Sequence, residues 1–375
     1  MLSHTLMWAV DSAFLGHVSA LALGAAGLGG MITWTVYCFF NGVTRVASTF
    51  VSQANGRGDD EAVAVYTWQG VYIAVAAGAI LTLVGFRSDW ILSLTGNSAE
   101  VQGAAASYMQ IRMYSAIATQ LTMTLSGFFQ GRKDVKTPMY AGIAANVLNV
   151  VLDYVMIFGV AGFPAMGIEG AALATTIANS VNAVILVWFA FVPAALRSRY
   201  RIHVPRGFDR ARMGRLIRVG APLSFGELID MISFSTFTAI IGQRGEAALA
   251  ASQVTVQLIS FSFMPIWGIT TAATVLVGNE IGKRDHDRAE RLAIETYRIA
   301  FLYSIAIGGV LVAAREPLFS IFTRDASVLA YAAVLGLLAA VFQVFDGLRM
   351  IGIGVLQGAG DTRFPSILAG VVLFG

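Results

Sequence analysis

Nine ionisable residues interrupt long apolar stretches of this chain: Asp11, Asp153, Glu227, Asp230 and Asp346, with Arg45, Arg112, Arg298 and Arg349. A charge in hydrocarbon costs several kcal/mol unless it is paired, hydrated or neutralised. A carboxylate there can be satisfied by a proton or a Na⁺ ion, and binding of that ion can be coupled to movement of the elements around it. Spacing supplies partners. Asn146, Asn149 and Asp153 recur at i, i+3 and i+7, which is one face of a helix, and Thr175, Asn179 and Asn182 do the same. Asparagine oxygens beside a carboxylate can coordinate Na⁺ or hold a protonated acid. The plain alternative is hydrogen bonding that only joins helices. Asp153 stands nearer an outer helix end and could instead reach headgroups. Glu227 and Asp230 are one turn apart, and Asp346 lies one turn before Arg349, with which it could form a static ion pair.

Other side chains suit a cavity more than a reaction. Gln253, Gln257 and Ser260 form a polar stripe, and Trp34, Tyr37 and Phe40 offer rings that could hold amphiphilic cations. Lipid or packing contact is the ordinary fate of any one such ring. His4 and His17 lack partners at metal-ligand spacing, and Arg45 has no role that its neighbours explain. Four scattered histidines and the single Cys38 give no catalytic array, no disulfide and no cysteine metal cluster, so neither an enzyme nor a metal site beyond Na⁺ at the listed acids is expected. No cofactor is expected either.

The elements that must carry these residues are membrane helices. The chain is 57% hydrophobic and 13% charged, against about 25% charged in an average soluble domain. Apolar runs, continuous rather than alternating, cover 1–16, 20–53, 63–86, 100–130, 138–159, 168–196, 211–241, 246–281, 288–314 and 326–358, and an eleventh starts near Phe364. Arginine and lysine favour the loops after even-numbered runs: Arg57, then Arg132, Lys133 and Lys136, then eight arginines from Arg197 to Arg218, then Lys283, Arg284, Arg288 and Arg291, then Arg363. The opposite loops hold Arg87, Arg244, Arg315 and Arg324. That asymmetry puts the basic loops in the cytoplasm of a bacterial inner-membrane protein. Interleaved apolar runs speak against a nucleic-acid patch at 197–218.

The chain also resembles itself. A shift of 226 residues lays Gly16 on Gly242, Gly42 on Gly268, Val51 on Val277 and Gly56 on Gly282. A shift of 227 lays Gln130, Gly131, Asp134, Lys136 and Pro138 on Gln357, Gly358, Asp361, Arg363 and Pro365. Gly56 and Gly282 read as left-handed helix caps, and the two prolines as first-turn residues. Loop punctuation in register implies two halves of like orientation. The expected fold is therefore all-α and polytopic, with two pseudo-symmetric six-helix lobes: 1–196, a cytoplasmic linker at 197–210, and 211–375. Twelve spans are expected in the complete unit, with this chain carrying about eleven, shortened at both ends.

Several segments carry a family resemblance: VDSAFLGH at 10–17, VSQANGRGD at 51–59, QGRKDVKTP at 130–138, NVLNVVLDYVMIFG at 146–159, GIEGAALATTIA at 167–178, GAP at 220–222, VGNEIGKRD at 277–285 and FDGLRMIGIGVLQGAGDTRFP at 345–365. In order and spacing they resemble the MATE (multidrug and toxin extrusion) transporters. The resemblance implies alternating access between two lobes and export of organic cations or other small amphiphiles, driven by Na⁺ or H⁺ entry. It implies ion coupling at Asp11, which matches the acid of the family's VD-x-x-x-x-G motif, and at Asp230 and Asp346, which match second-lobe acids. A lipid-linked or polysaccharide flippase of the same superfamily is the alternative, and few cations lie within the runs to hold phosphate. An integral-membrane enzyme or a receptor is the reading from another class. Membrane lipid and small substrates are the expected partners, and the protein is expected to be a monomer.

Overall fold

A computed structural model of the protein describes residues 2–160, 162–243, 246–320 and 329–374. Those residues form helices joined by short turns, with no strand among them. They divide into two compact units, 1–225 and 226–375.

The first unit contains α1 (Leu2–Gly16), α2 (Ala20–Arg45), α3 (Ala47–Gly56), α4 (Asp60–Gly85), α5 (Ser88–Ser93), α6 (Ala99–Met113), α7 (Ala116–Gly131), α8 (Lys136–Phe158), α9 (Gly167–Phe191), α10 (Ala194–Tyr200) and the start of α11 (Arg210–Gly242). The second holds the rest of α11, α12 (Glu246–Lys283), α13 (His286–Ala313), α14 (Arg315–Ser320), α15 (Ala332–Ala359) and α16 (Arg363–Phe374). Seven helical stretches among the described residues are long and apolar enough to cross a membrane: 20–56, 60–85, 136–158, 167–191, 250–283, 286–313 and 334–359. The other apolar runs fall short for visible reasons. The run at 100–130 is interrupted at Tyr114-Ser115 between α6 and α7, and α11 carries four arginines in its first three turns. The run at 20–53 breaks at Val46, which makes Arg45 the last residue of α2, where a cation meets the negative end of a helix.

The sequence repeat recurs as local geometry. Asp59 caps α4 by accepting from the Ala62 amide at 2.8 Å, and Asp285, 226 residues later, caps α13 by accepting from Arg288 at 3.0 Å. The amides of the same two aspartates bond to Ala54 and Glu280, both at 3.0 Å. Further on, Asp134 and Asp361 accept from the amides of Thr137 and Phe364. The left-handed residues are Gly58 and Arg284 at the first turn and Lys133 and Gly360 at the second. Gly56 and Gly282 are thus not the left-handed caps expected from sequence: both stay helical, and the reversal comes two residues later.

Close helix contact uses glycine at matched positions. A Cβ on Gly127 of α7 would stand 2.9 Å from the Ser48 amide nitrogen in α3. One on Gly354 of α15 would stand 2.6 Å from the Thr270 carbonyl oxygen in α12. Small residues permit this approach in lipid, where packing rather than water exclusion holds helices together.

The segment 197–210, expected as a linker, is strapped to α4. Trp68 Nε1 donates to the Ile202 carbonyl at 2.9 Å, Gln69 Nε2 to Gly207 at 2.9 Å and the Tyr72 hydroxyl to Arg206 at 2.6 Å. Tyr200 and Ile202 are buried beneath it. Arg244 and Arg324, and the first residues of the 326–358 run, lie outside the described residues.

Candidate functional site

Helices α1, α8 and α9 pack on one another in the first unit, and their polar stripes meet. The periodicity explains how. Asp11 sits between Met7 and Leu15 on α1, Asn149 and Asp153 between Ala145 and Ile157 on α8, and Thr175 between Ala171 and Ala178 on α9. Met7, Ala145 and Ala178 form one apolar layer; Leu15, Ile157 and Ala171 form another, with Tyr108 and Ala172. The polar groups are held between two layers that exclude water.

Within this slot Asp11 is 2% exposed, and Asn149 and Asp153 are fully buried. The Thr175 hydroxyl lies 3.0 Å from Asp11 Oδ2 and 3.0 Å from the Ala171 carbonyl of its own helix. Asn149 Nδ2 donates to the Thr175 oxygen at 3.4 Å. Asp153 stands beside Asp11 and Asn149. Asp11 Oδ1, Asn149 Oδ1 and both Asp153 oxygens meet no donor in good geometry. Four oxygens without donors, from two acids and an amide, are a donor set for a monovalent cation or a shared proton. Gly170 lets α9 approach closely here, because a Cβ would stand 2.7 Å from the Met156 carbonyl oxygen.

Asn179 is buried on α9 one turn beyond Thr175. Asn146, one turn before Asn149, donates its amide to the Gly142 carbonyl at 2.9 Å. Two residues that sequence reasoning did not assign to the site border it. Tyr108 of α6 joins the apolar layer, and Arg112 one turn on donates from Nη1 to the Tyr108 hydroxyl at 3.0 Å. The signal was an arginine and a tyrosine four apart in one apolar run, but nothing local said which helices they would face.

The proposed cavity residues are placed as follows. Tyr37 is buried among Leu81, Leu92, Met109 and Met113, and its hydroxyl donates to the Arg112 carbonyl at 3.2 Å, tying α2 to α6. Trp34 is half-buried on α2, Gln257 half-buried on α12, and Gln253 exposed.

In the second unit α11 and α15 bring Asp230 and Asp346 to one guanidinium. Arg349 Nε is 2.6 Å from Asp346 Oδ1, and Nη1 is 3.4 Å from Asp230 Oδ1. The Asp346 side chain is 13% exposed, that of Asp230 48%. Glu227 is half-buried one turn earlier on α11. The two units differ in kind: an arginine takes the acids of the second, while those of the first stand among neutral partners. Among the described residues no three His, Cys, Asp or Glu side chains converge as a metal site.

Comparison with known proteins bears on the whole chain. The MatE family model matches residues 1–155 and 222–374. A probable multidrug resistance protein NorM of Thermotoga maritima is 29% identical over 359 residues, covering 96% of this chain and 77% of that protein. Its namesake in Agrobacterium fabrum is 30% identical over 371 residues, covering 96% and 78%. The multidrug resistance protein MdtK of Yersinia pseudotuberculosis is 27% identical over 366 residues, covering 96% and 79%. Among solved structures, a MATE protein in its bent conformation matches with a TM-score of 0.87 at 21% identity, covering 98% of this chain and 81% of that one. The eukaryotic MATE transporter AtDTX14 matches with a TM-score of 0.88 at 21% identity, covering 100% and 83%. These two likenesses establish the fold. A family model that matches both halves, on a chain whose halves repeat each other's caps and turns, settles the assignment: the chain belongs to the MatE family of membrane transporters.

Proposed function

We propose that the protein is a secondary antiporter of a bacterial inner membrane, expelling organic cations, drugs or toxic metabolites in exchange for Na⁺ or H⁺. The observation that carries this reading is the slot between α1, α8 and α9, where Asp11 and Asp153 share a dry space with Asn149 and Thr175. Two carboxylates that close cannot both remain charged in a water-excluded site without a cation. Uptake of the ion neutralises the pair and lets α1 pack against α8 and α9. Its release restores the repulsion, and the two states differ by which face of the membrane the cavity meets. Asn146 and Asn179 flank the slot as further oxygen donors. Asp230, Asp346 and Glu227 form a second set, with Arg349 as the resident counter-charge. Trp34, Tyr37, Gln253 and Gln257 contribute to the substrate path, and the arginine-rich loops face the cytoplasm of a monomer. The relatives' names as multidrug resistance proteins support an amphiphilic cargo.

Ethidium efflux from proteoliposomes, under separately imposed Na⁺ and proton gradients, tests the reading. The full chain should respond to one of the gradients, and Asp11→Asn should lose that response while remaining folded. Wild-type efflux by the folded Asp11→Asn protein would overturn the site.

A further inference from the structure

The charges around the first-unit slot do not balance without Arg112. Its guanidinium lies within electrostatic reach of both Asp11 and Asp153. The Tyr108 hydroxyl, 3.0 Å from Nη1, stands between arginine and acids, and the Arg112 Nε is buried without an acceptor. The titratable groups facing this space are Asp11 from α1, Tyr37 from α2, Tyr108 and Arg112 from α6, and Asp153 from α8. The backbone at Arg112 is held from both sides: Tyr37 bonds its carbonyl, and Thr176 of α9 bonds the carbonyl of Ile111 at 3.0 Å. The cation is therefore fixed in place.

Resting on the antiport reading above, we propose that Arg112 is a permanent counter-cation of the Asp11–Asp153 pair, so that the slot takes up one monovalent cation per cycle and holds it loosely enough to release it. With both acids ionised, the slot and Arg112 together carry one net negative charge, which a single proton or Na⁺ cancels. Without the arginine the same slot carries two. It would bind its first cation far more tightly and favour a second, because residual charge in a dry site is costly. Arg112 thus acts as a positioning and specificity-setting residue: it touches the Tyr108 hydroxyl, and its field sets ion affinity.

The test compares wild type, Arg112→Gln, Arg112→Lys, Arg112→Gln/Asp153→Asn and Asp11→Asn in proteoliposomes. The readouts are the half-saturating Na⁺ or proton concentration for ethidium efflux and the cation-to-ethidium ratio from reversal potentials. An opposite charge within a few ångströms changes ion affinity by at least about ten-fold, so Arg112→Gln should lower the half-saturating concentration by about that factor and slow turnover. Arg112→Lys should stay near wild type. The double variant restores the charge count and should return half-saturation toward wild type. Unchanged half-saturation and ratio in Arg112→Gln would overturn the proposal, provided that Asp11→Asn is inactive. If Asp11→Asn also keeps ion-driven efflux, the underlying antiport site fails instead. Should Arg112→Gln not accumulate as folded protein, the double variant decides: near wild-type half-saturation supports the charge count, and the half-saturation of Asp153→Asn alone refutes it.

Discussion

At the scale of single residues the two acid clusters make different demands. Thr175 holds Asp11 through one hydroxyl, so Thr175→Val removes that contact while keeping the shape of the side chain. The expected result is folded protein with weakened ion coupling, read as a higher half-saturating cation concentration; an unaltered value would show that the threonine only joins helices. Arg349→Gln leaves Asp346, 13% exposed, without its 2.6 Å partner. Breaking a partly exposed pair of this kind should cost about 1–2 kcal/mol, seen as a lower Tm in detergent, and Arg349→Lys should recover part of it. An unchanged Tm in Arg349→Gln would mark the pair as energetically idle. Part of this chemistry was legible in sequence. The stripe through Asn149 and Asp153 and the one through Thr175 follow from helical spacing alone, and Asp346 one turn before Arg349 already suggested an ion pair. Spacing did not reveal that Arg349 also reaches Asp230 from another helix. Nor did it reveal that Tyr37 is packed among leucines and methionines, because the face an aromatic residue presents depends on which neighbour arrives.

At the scale of helices, glycine pairs and caps set how closely elements approach. Gly354→Ala would drive a methyl group toward the Thr270 carbonyl, where α12 and α15 pack, and Gly127→Ala toward the Ser48 amide, where α3 and α7 pack. Backbone atoms cannot yield as a side-chain tip can, so both substitutions should lower Tm, by roughly the 1–3 kcal/mol typical of overpacking. Gly214→Ala, with open space around it, should leave Tm unchanged and serves as the control. The caps give a second measurement: Asp59→Ala and Asp285→Ala should each cost about 1 kcal/mol, and unequal losses would mean that matched turns do not carry matched energy. Helix positions were readable from hydropathy. Helix breaks were not: the interruptions at Val46 and at Tyr114-Ser115 contain no proline or glycine to announce them.

At the scale of the molecule, a sequence shift of 226 or 227 residues anticipated which turns would share a conformation, because turn geometry is set locally by aspartate caps and left-handed residues. The segment 197–210 was harder to read, since a run of arginines looks like a loose tether. In the folded protein its carbonyls at Ile202, Arg206 and Gly207 are taken up by three side chains of a single helix. A protease must draw about ten residues of extended chain into its cleft, so these arginines should resist trypsin on membranes that expose them, despite being its preferred sites. Replacing Trp68 and Tyr72 together with phenylalanine should open the segment to cleavage near Arg201 and Arg206, visible as two stable fragments on a gel, and equal resistance in that variant would mean the strap is held by something else.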